Sequence, residues 1–231
     1  AVGLQEGVGD RDIAEPELKY TLLDAGNWMT CVAFSSDGAW LATGSVDKKT
    51  RIYALTQNAV PELKYTLSEG GAVMSVAFSS DTAWLATGSD DNNTRIYAVT
   101  QNAEPELKYT LWGGGYFATL SSDTAWLGTG DLDGNTRIYA LTQNAEPQLK
   151  HTLSDADSFL TVVAFSSNIA WLATGGGDTK TRIYALGRNA EPEHKYTLSD
   201  ASACITNLAF SSDSAWLATG SGDNKTRIYA L

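Results

Sequence analysis

The sequence has only two cysteines, Cys31 and Cys204, in 231 residues. Two cysteines are too few for a disulfide-rich scaffold, and these two occupy different positions in the surrounding sequence pattern, so we expect free thiols. Free thiols favour a reducing compartment, and a cytoplasmic location is therefore the expectation. The sequence also lacks a run of about 18 apolar residues, the minimum for a membrane-spanning helix, which argues against that class of membrane protein.

Basic residues are in the minority: the chain has 16 Lys and Arg against 27 Asp and Glu, and its formal net charge is −11. Nucleic-acid backbones and anionic membranes are bound by clustered Lys and Arg, so neither is expected as a partner, and a basic protein or peptide suits this charge better. The two histidines show no metal-ligand spacing. No nucleophile and base pair or cofactor motif is recognisable either, so the sequence predicts a protein without catalytic activity, cofactor or metal.

The sequence does have an internal repeat. The stretch at residues 34–55, FSSDGAWLATGSVDKKTRIYAL, is written five times with small changes. One tryptophan marks each copy: Trp40, Trp84, Trp126, Trp171 and Trp216. A repeat of about 40 to 45 residues is typical of proteins built from stacked supersecondary units.

Each repeat contains four short segments with the composition of β-strands. In the first repeat unit these are ELKYTL at residues 17–22, MTCVAF at 29–34, AWLATGS at 39–45 and TRIYAL at 50–55. Turn residues such as the SSDG at 35–38 separate them. A small sheet of four strands cannot bury both of its faces alone, so the sequence predicts an all-β, five-bladed β-propeller with four-stranded antiparallel blades.

The predicted domain organisation is simple. Residues 1–15 are acidic and Gly-rich and are expected to be a flexible arm, and residues 16–231 form a single propeller. The repeats run approximately over residues 23–67, 68–111, 112–153, 154–198, and 199–231 together with 17–22. The segment 17–22 is expected to pair beside residues 226–231 and close the ring. The alternative is a piece of a larger ring, or one that oligomerises.

The motifs VMSVAFSSD at residues 73–81, LATGSDD at 85–91 and TRIYA at 94–98 resemble the blade pattern of the WD-repeat family. The resemblance implies a propeller that acts as a non-catalytic scaffold for a protein or peptide. The repeats lack the Gly-His pair of the family, and Tyr-Ala replaces its Trp-Asp pair, as at Tyr53 and Ala54. The Asp-His-Ser/Thr-Trp hydrogen-bond network of the family therefore cannot form in its usual version. One aspartate per repeat remains and is interpreted as a structural turn residue: Asp47, Asp91, Asp133, Asp178 and Asp223.

The repeats differ most in two loops. The loop before the inner strand reads LDAGNW, SEGGAV, WGGGYF, SDADSF and SDASAC in the five repeats, and the turn before TRIY also varies. In an up-and-down blade both emerge at the same end, and a surface with five different loop sets suits one asymmetric protein partner. Aromatic residues dominate interface energetics, so the predicted anchors are Trp28, Trp112, Tyr116, Phe117 and Phe159.

The segments at the opposite end, such as TQNAVPE at residues 56–62, barely differ between repeats. Near-identical loops suit equivalent small sites, and the alternative function is a multivalent carbohydrate-binding lectin, secreted in that case, with one site per blade. Its candidate sugar-binding residues are Asn58, Asn102, Asn144 and Asn189. Their other interpretation is ordinary turn chemistry.

Overall fold

The computed structural model describes residues 16–100, 103–142, 145–187 and 190–231. These residues form nineteen β-strands. They contain no helix of the length and apolar character needed to cross a bilayer. The flexible arm predicted for residues 1–15 lies outside the described residues.

The strands follow the sequence repeat closely. The first blade contains β1 (Met29–Phe34), β2 (Trp40–Ser45), β3 (Lys49–Ala54) and β4 (Glu62–Ser68); the second contains β5 (Val73–Phe78), β6 (Trp84–Ser89), β7 (Asn93–Thr100) and β8 (Ala103–Trp112). The third contains β9 (Phe117–Leu120), β10 (Trp126–Gly130), β11 (Thr136–Thr142) and β12 (Ala145–Leu153); the fourth contains β13 (Leu160–Phe165), β14 (Trp171–Gly176), β15 (Thr181–Gly187) and β16 (Ala190–Leu198). The fifth contains β17 (Ile205–Phe210), β18 (Trp216–Ser221) and β19 (Lys225–Ala230).

Every blade is an antiparallel meander whose strands lie in chain order, as β1-β2-β3-β4 in the first. The first strand of each blade is the inner one, and the inner strands of consecutive blades contact each other from β1 through β17. The predicted all-β, five-bladed propeller is confirmed. Four blades have four strands, and the fifth has three among the described residues.

The apolar core is divided into four clusters, one between each pair of neighbouring blades. Between the first two blades, Trp40, Ala42 and Ile52 of the first blade pack against Val73 and Val76 of the second. The same positions recur at the other three interfaces. Burying each large aliphatic side chain contributes about 1.5 to 3 kcal/mol, so the blades hold one another together. We call the side that packs on the following blade the trailing face and the side that packs on the preceding blade the leading face.

The turn after each inner strand has the same hydrogen bonds in every blade. In the first, the backbone N–H of Trp40 donates to Ser35 Oγ at 2.9 Å, and the Ser35 hydroxyl donates to Asp37 at 2.5 Å. These turns also touch across blades, as where Ser80 Oγ lies 3.0 Å from Thr124 Oγ1. These hydrogen bonds join consecutive blades at the end of the propeller opposite the variable loops.

The predicted closure of the ring is wrong for the described residues. Residues 16–22 form no strand and are mostly exposed, and no strand pairs with the free edge of β19. The physical reason lies in the arrangement of the blades. The contacts that join every consecutive pair of inner strands are not repeated between β1 and β17. Because only six residues separate position 22 from β1, this segment can reach β19 only where the first and fifth blades are neighbours.

Candidate functional site

The two variable loops of each blade lie at the same end of the propeller. The backbone N–H of Val46, in the turn before β3, donates to the Trp28 carbonyl at 2.9 Å, and that of Gly177 donates to the Phe159 carbonyl at 2.8 Å. Equivalent bonds hold the second and fifth blades. We call this surface the variable-loop face; it comprises residues 23–28, 46–48, 69–72, 90–92, 112–116, 131–135, 154–159, 177–180, 199–204 and 222–224.

The variable-loop face is continuous across blades even though the ring is open. Ser75 of the second blade donates to the Tyr116 carbonyl of the third at 3.2 Å, and the Leu160 N–H of the fourth donates to the Asp131 carbonyl of the third at 2.9 Å. The third-blade loop turns through Gly115, whose φ is +110°. A Cβ at that position would lie 2.5 Å from the Gly130 carbonyl oxygen, so only glycine fits.

An aspartate and arginine pair stabilises the turn before the third strand in four blades. In the first blade Asp47 pairs with Arg51 at 2.6 Å and accepts the backbone N–H of Gly26 at 2.8 Å. The Arg51 hydrogen bond lowers the pKa of Asp47 to about 2. The corresponding pairs are Asp91 with Arg95, Asp178 with Arg182, and Asp223 with Arg227. These carboxylates are committed to the turns, with little capacity left for a ligand.

The third blade departs from this pattern, and the interpretation of Asp133 as its turn residue is corrected. Asp133 is exposed, and the paired carboxylate is Asp131, which is buried. Asp131 accepts the backbone N–H of Asn135 at 2.8 Å and pairs with Arg137. The reason is a substitution within the repeat, because Asp131 stands where the other blades have a small residue such as Ser89 and offers its carboxylate closer to the strand.

A tyrosine and carboxylate contact joins each loop to the third strand in four blades. The Tyr53 hydroxyl donates to Asp24 at 3.1 Å, and the Tyr184 hydroxyl donates to Asp155 at 2.5 Å. The same contact links Tyr97 to Glu69 and Tyr229 to Asp200. Burial, aided by the Asp24 carboxylate, raises the pKa of Tyr53 to about 12. This contact was not predicted, although the recurring acidic residue in the loops is its signal in the sequence.

Glu69 is the one buried carboxylate among these loop residues. It accepts hydrogen bonds from Thr50 at 3.3 Å and Thr87 at 3.1 Å, and its other oxygen lies 3.2 Å from Arg95. Thr50 belongs to the first blade and Thr87 to the second, so Glu69 bridges the two. Burial raises the pKa of Glu69 in spite of the neighbouring Arg95 and the hydroxyl donors. These contacts give Glu69 a structural role between the first two blades.

The five predicted anchors differ in how much of each side chain is exposed to solvent. Trp28 and Trp112 are 82% and 81% exposed, and Phe159 is also exposed. Tyr116 and Phe117 are half-buried, with ring centroids 6.4 Å apart. Trp112 ends β8 rather than lying in the loop after it. The two tryptophans thus stand free on the variable-loop face, Phe159 is partly exposed at 40%, and the other two rings lie partly beneath this face.

The surroundings of these aromatic residues are acidic. Exposed carboxylates on the variable-loop face are Asp24, Asp90, Asp133, Asp155, Asp157 and Asp200. Lys48 and Lys180 partly offset them, and Lys180 is paired with Asp157 at 2.9 Å. The face therefore has a negative field of the sign that the whole chain carries.

Of the four candidate sugar-binding positions, the structure describes Asn58 alone. Asn58 is exposed and has a φ of 63°, in a turn where the Ala59 N–H donates to the Thr56 carbonyl at 3.2 Å. This is the left-handed conformation in which asparagine is favoured in turns. Asn102, Asn144 and Asn189 lie outside the described residues.

A cavity of about 280 Å³ lies between the third and fourth blades, near the end opposite the variable loops. Trp126, Ile138, His151, Phe165 and Leu186 contribute to its walls. In the other complete blades a tyrosine occupies the position of His151, and the rings of Trp40 and Tyr65 there lie 6.2 Å apart. The smaller imidazole leaves the space. Among the described residues, no three His, Cys, Asp or Glu side chains gather as metal ligands would.

Comparison with known proteins assigns the repeats to a family. The family model described as WD domain, G-beta repeat, matches residues 17–54, 61–98, 147–184 and 192–230, which together make up more than half of the chain. The first three strands of the third blade, β9 to β11, fall between the matched segments, in agreement with the short inner strand and the substituted turn of this blade. A search of curated proteins found no match to the chain.

Proposed function

The chain belongs to the WD-repeat family, and from that premise we propose that it binds a protein or peptide partner through the variable-loop face. Propellers of this family are generally non-enzymatic interaction scaffolds. The observation that carries the proposal is the full exposure of two tryptophans, Trp28 and Trp112, on the end of the propeller where the loops differ from blade to blade. No core position requires either ring.

Exposed tryptophans favour a protein interface for an energetic reason. A tryptophan buries about 150 to 250 Å² when it is covered, and tryptophan is enriched among the few residues that supply most of the binding energy. Phe159 adds a third exposed ring on the same face, from the fourth blade. Rings carried by the first, second and fourth blades suit an elongated partner that crosses several blades.

The charge of the face sets the chemistry of the partner. The exposed carboxylates around the aromatic residues attract Lys and Arg, so the partner is a basic peptide or a basic protein surface that also presents apolar side chains. Attraction between exposed charges is screened by salt. Association with such a partner therefore slows and weakens as the ionic strength rises.

The test uses random peptides displayed on phage and selected against the intact chain. Peptides recovered are expected to be rich in Lys, Arg and aromatic residues. Their affinity should fall by at least about tenfold for the double variant Trp28→Ala, Trp112→Ala. The matched control is Val60→Ala, which removes an exposed apolar side chain at the opposite end. Peptides that bind the double variant as well as the original chain, or that lose affinity for the control, would overturn the proposal.

A further inference from the structure

The leading face of the first blade is exposed, although its residues are those that form the core elsewhere. Val32 is 65% exposed, and Met29 and Phe34 are exposed beside it. The residues equivalent to Val32 in the second and fourth blades, Val76 and Val163, are buried against the preceding blade. Identical side chains at identical repeat positions are therefore covered in the interior and uncovered here.

The trailing face of the fifth blade is exposed in the same way. Ile228 is 68% exposed, and Trp216 is half exposed. Together with Ala209 and Ala218 they line an apolar depression. The isoleucines equivalent to Ile228 in the other four blades, Ile52, Ile96, Ile138 and Ile183, are all buried against the next blade.

The two exposed faces are complementary, because each of the four internal interfaces joins a trailing face to a leading face. Polar contacts follow the same rule. Thr30 donates to the Val73 carbonyl across the first interface, and Thr161 donates to the Ile205 carbonyl across the fourth. When the repeats are aligned, Thr206 occupies the position of Thr161, and Met29 occupies the position of Val73. The fifth blade thus carries the donor, and the first blade the acceptor, of one further interface.

We propose that this interface forms between two copies of the chain, with the trailing face of the fifth blade of one copy docked on the leading face of the first blade of the other. Within one copy the two faces do not cover each other, since Val32 and Ile228 are both exposed and the contacts that join the other inner strands are not repeated between β1 and β17. A second copy presents the complementary face, and the same packing of a trailing face on a leading face already occurs at the four interfaces inside the chain. Contiguous apolar patches of this kind are uncommon on monomeric proteins, which favours an occupant.

The contact is heterologous, since the surface used on one copy differs from the surface used on its neighbour. An open assembly of any number of copies then keeps one unused leading face and one unused trailing face until a ring closes. A ring of two or more copies satisfies all of these faces. If the rotation does not close, the same contact extends into a filament.

The first test is the mass of the protein in solution by sedimentation velocity at several concentrations. The measured mass should be a multiple of the single-chain mass of 24.7 kDa. Val32→Arg and Ile228→Arg, each placing a charge on one end face, should reduce the mass to that of one chain. Leu149→Arg is the matched control, because Leu149 is exposed on β12 away from both end faces. It should leave the mass unchanged.

Mixing the two variants distinguishes a head-to-tail contact from any symmetric one. The Val32→Arg chain retains an intact trailing face, and the Ile228→Arg chain retains an intact leading face. An equimolar mixture should therefore form a dimer that grows no further, although each variant alone is monomeric. Circular dichroism and the thermal midpoint of each variant show that it is folded. Failure of the mixture to form dimers would overturn the head-to-tail contact.

Cysteine cross-linking decides which copy supplies the partner face. Ser36 Oγ lies 3.2 Å from Thr82 Oγ1 across the first interface, and the equivalent pair at the proposed interface is Ser212 with Gly38. Position 38 accepts a side chain, since Thr82 has a similar φ of 58°. Ser212→Cys with Gly38→Cys, in a chain carrying Cys31→Ser and Cys204→Ser, should oxidise to products of two or more chains.

The internal pair Ser80→Cys with Thr124→Cys is the reference for that experiment, because it should cross-link within one chain. A Ser212 and Gly38 product of single-chain mass would show that the ring closes on itself and would overturn the proposal. A wild-type chain that stays monomeric at every concentration, with no cross-linked product, would overturn it as well. The two end faces would then have to be covered by further blades or by an unrelated protein, not by a second copy of this chain.

Discussion

Ile183 and Ile228 occupy the same position in consecutive repeats, yet Ile183 is 1% exposed and Ile228 is 68% exposed. Each pairs with an alanine on the neighbouring strand, Ala173 and Ala218 respectively. Ile183 also pairs with Tyr196 of β16, whereas β19 has a free edge. The outer strand and the following blade that cover Ile183 are therefore both missing beside Ile228, and burial in this protein is decided by what lies next to a side chain.

Alanine substitution of these two isoleucines should lower the free energy of unfolding by very different amounts. Ile183→Ala leaves a cavity in a packed interface and should lower the free energy of unfolding by about 3 kcal/mol. Ile228→Ala should change it by less than about 0.5 kcal/mol. Both are measured by urea denaturation in the Val32→Arg background, so that association does not contribute. Equal costs would mean that the end face is covered within a single chain.

His151→Tyr should stabilise the protein. The tyrosine found at this position in the other complete blades packs beside a tryptophan, as Tyr196 does with Trp171 at 6.5 Å between ring centroids. The new ring would fill part of the cavity beside Trp126 and add about 1 kcal/mol of aromatic packing. A rise in the thermal midpoint is the expected result. The reverse change, Tyr65→His, is the control and should lower it.

Asp178→Ala should be strongly destabilising. Arg182 is almost fully buried and pairs with Asp178 at 2.6 Å, so the substitution leaves a buried guanidinium without its main partner. Loss of one member of such a pair costs about 3 kcal/mol. Asp133→Ala is the matched control in the third blade, where Asp131 takes the structural role, and should cost less than about 0.5 kcal/mol. A large effect of Asp133→Ala would contradict the assignment to Asp131.

Glu69 should make stability fall as the pH rises. Burial raises its pKa above the ordinary value of 4.5, so between that value and its folded pKa the folded state binds more protons than the unfolded state. Stability therefore decreases with increasing pH across this window. Asp47 acts in the opposite direction, because its pKa is lowered to about 2, and its contribution is lost as the pH falls below the ordinary aspartate range.

Glu69→Gln isolates the first of these effects. Glutamine keeps an acceptor for Thr50 and Thr87 but does not titrate. The difference in unfolding free energy between the variant and the original chain should shift in favour of glutamine as the pH rises from 4.5 toward neutrality. Urea denaturation at a series of pH values measures it. Parallel pH profiles for the two proteins would show that Glu69 is not the group responsible.

The repeat was sufficient to predict the blades, because strand length, turn residues and apolar alternation are local properties. It was not sufficient to predict closure. The position of residues 17–22 depends on whether the first and fifth blades are neighbours, and that depends on the angle between blades summed over four interfaces. A change of a few degrees at each interface is invisible in the sequence.

The candidate site divides in the same way. The loops that differ between repeats, and the aromatic residues they carry, were identifiable from the sequence. The exposure of Trp28 and Trp112, in contrast to the partial burial of Tyr116 and Phe117, was not. The sequence also could not show that Asp131, and not Asp133, pairs with Arg137, because either carboxylate is close enough in sequence to reach that arginine.

The amino-acid sequence alone was enough to specify five units of antiparallel strands, the end of the propeller at which their loops vary, and an acidic surface. Whether the five units form a closed ring or an open arc, and with it which apolar side chains are buried, depends on how the blades pack. The physical reason is that a blade buries its faces only against other blades. The same isoleucine is therefore core or surface according to what stands beside it.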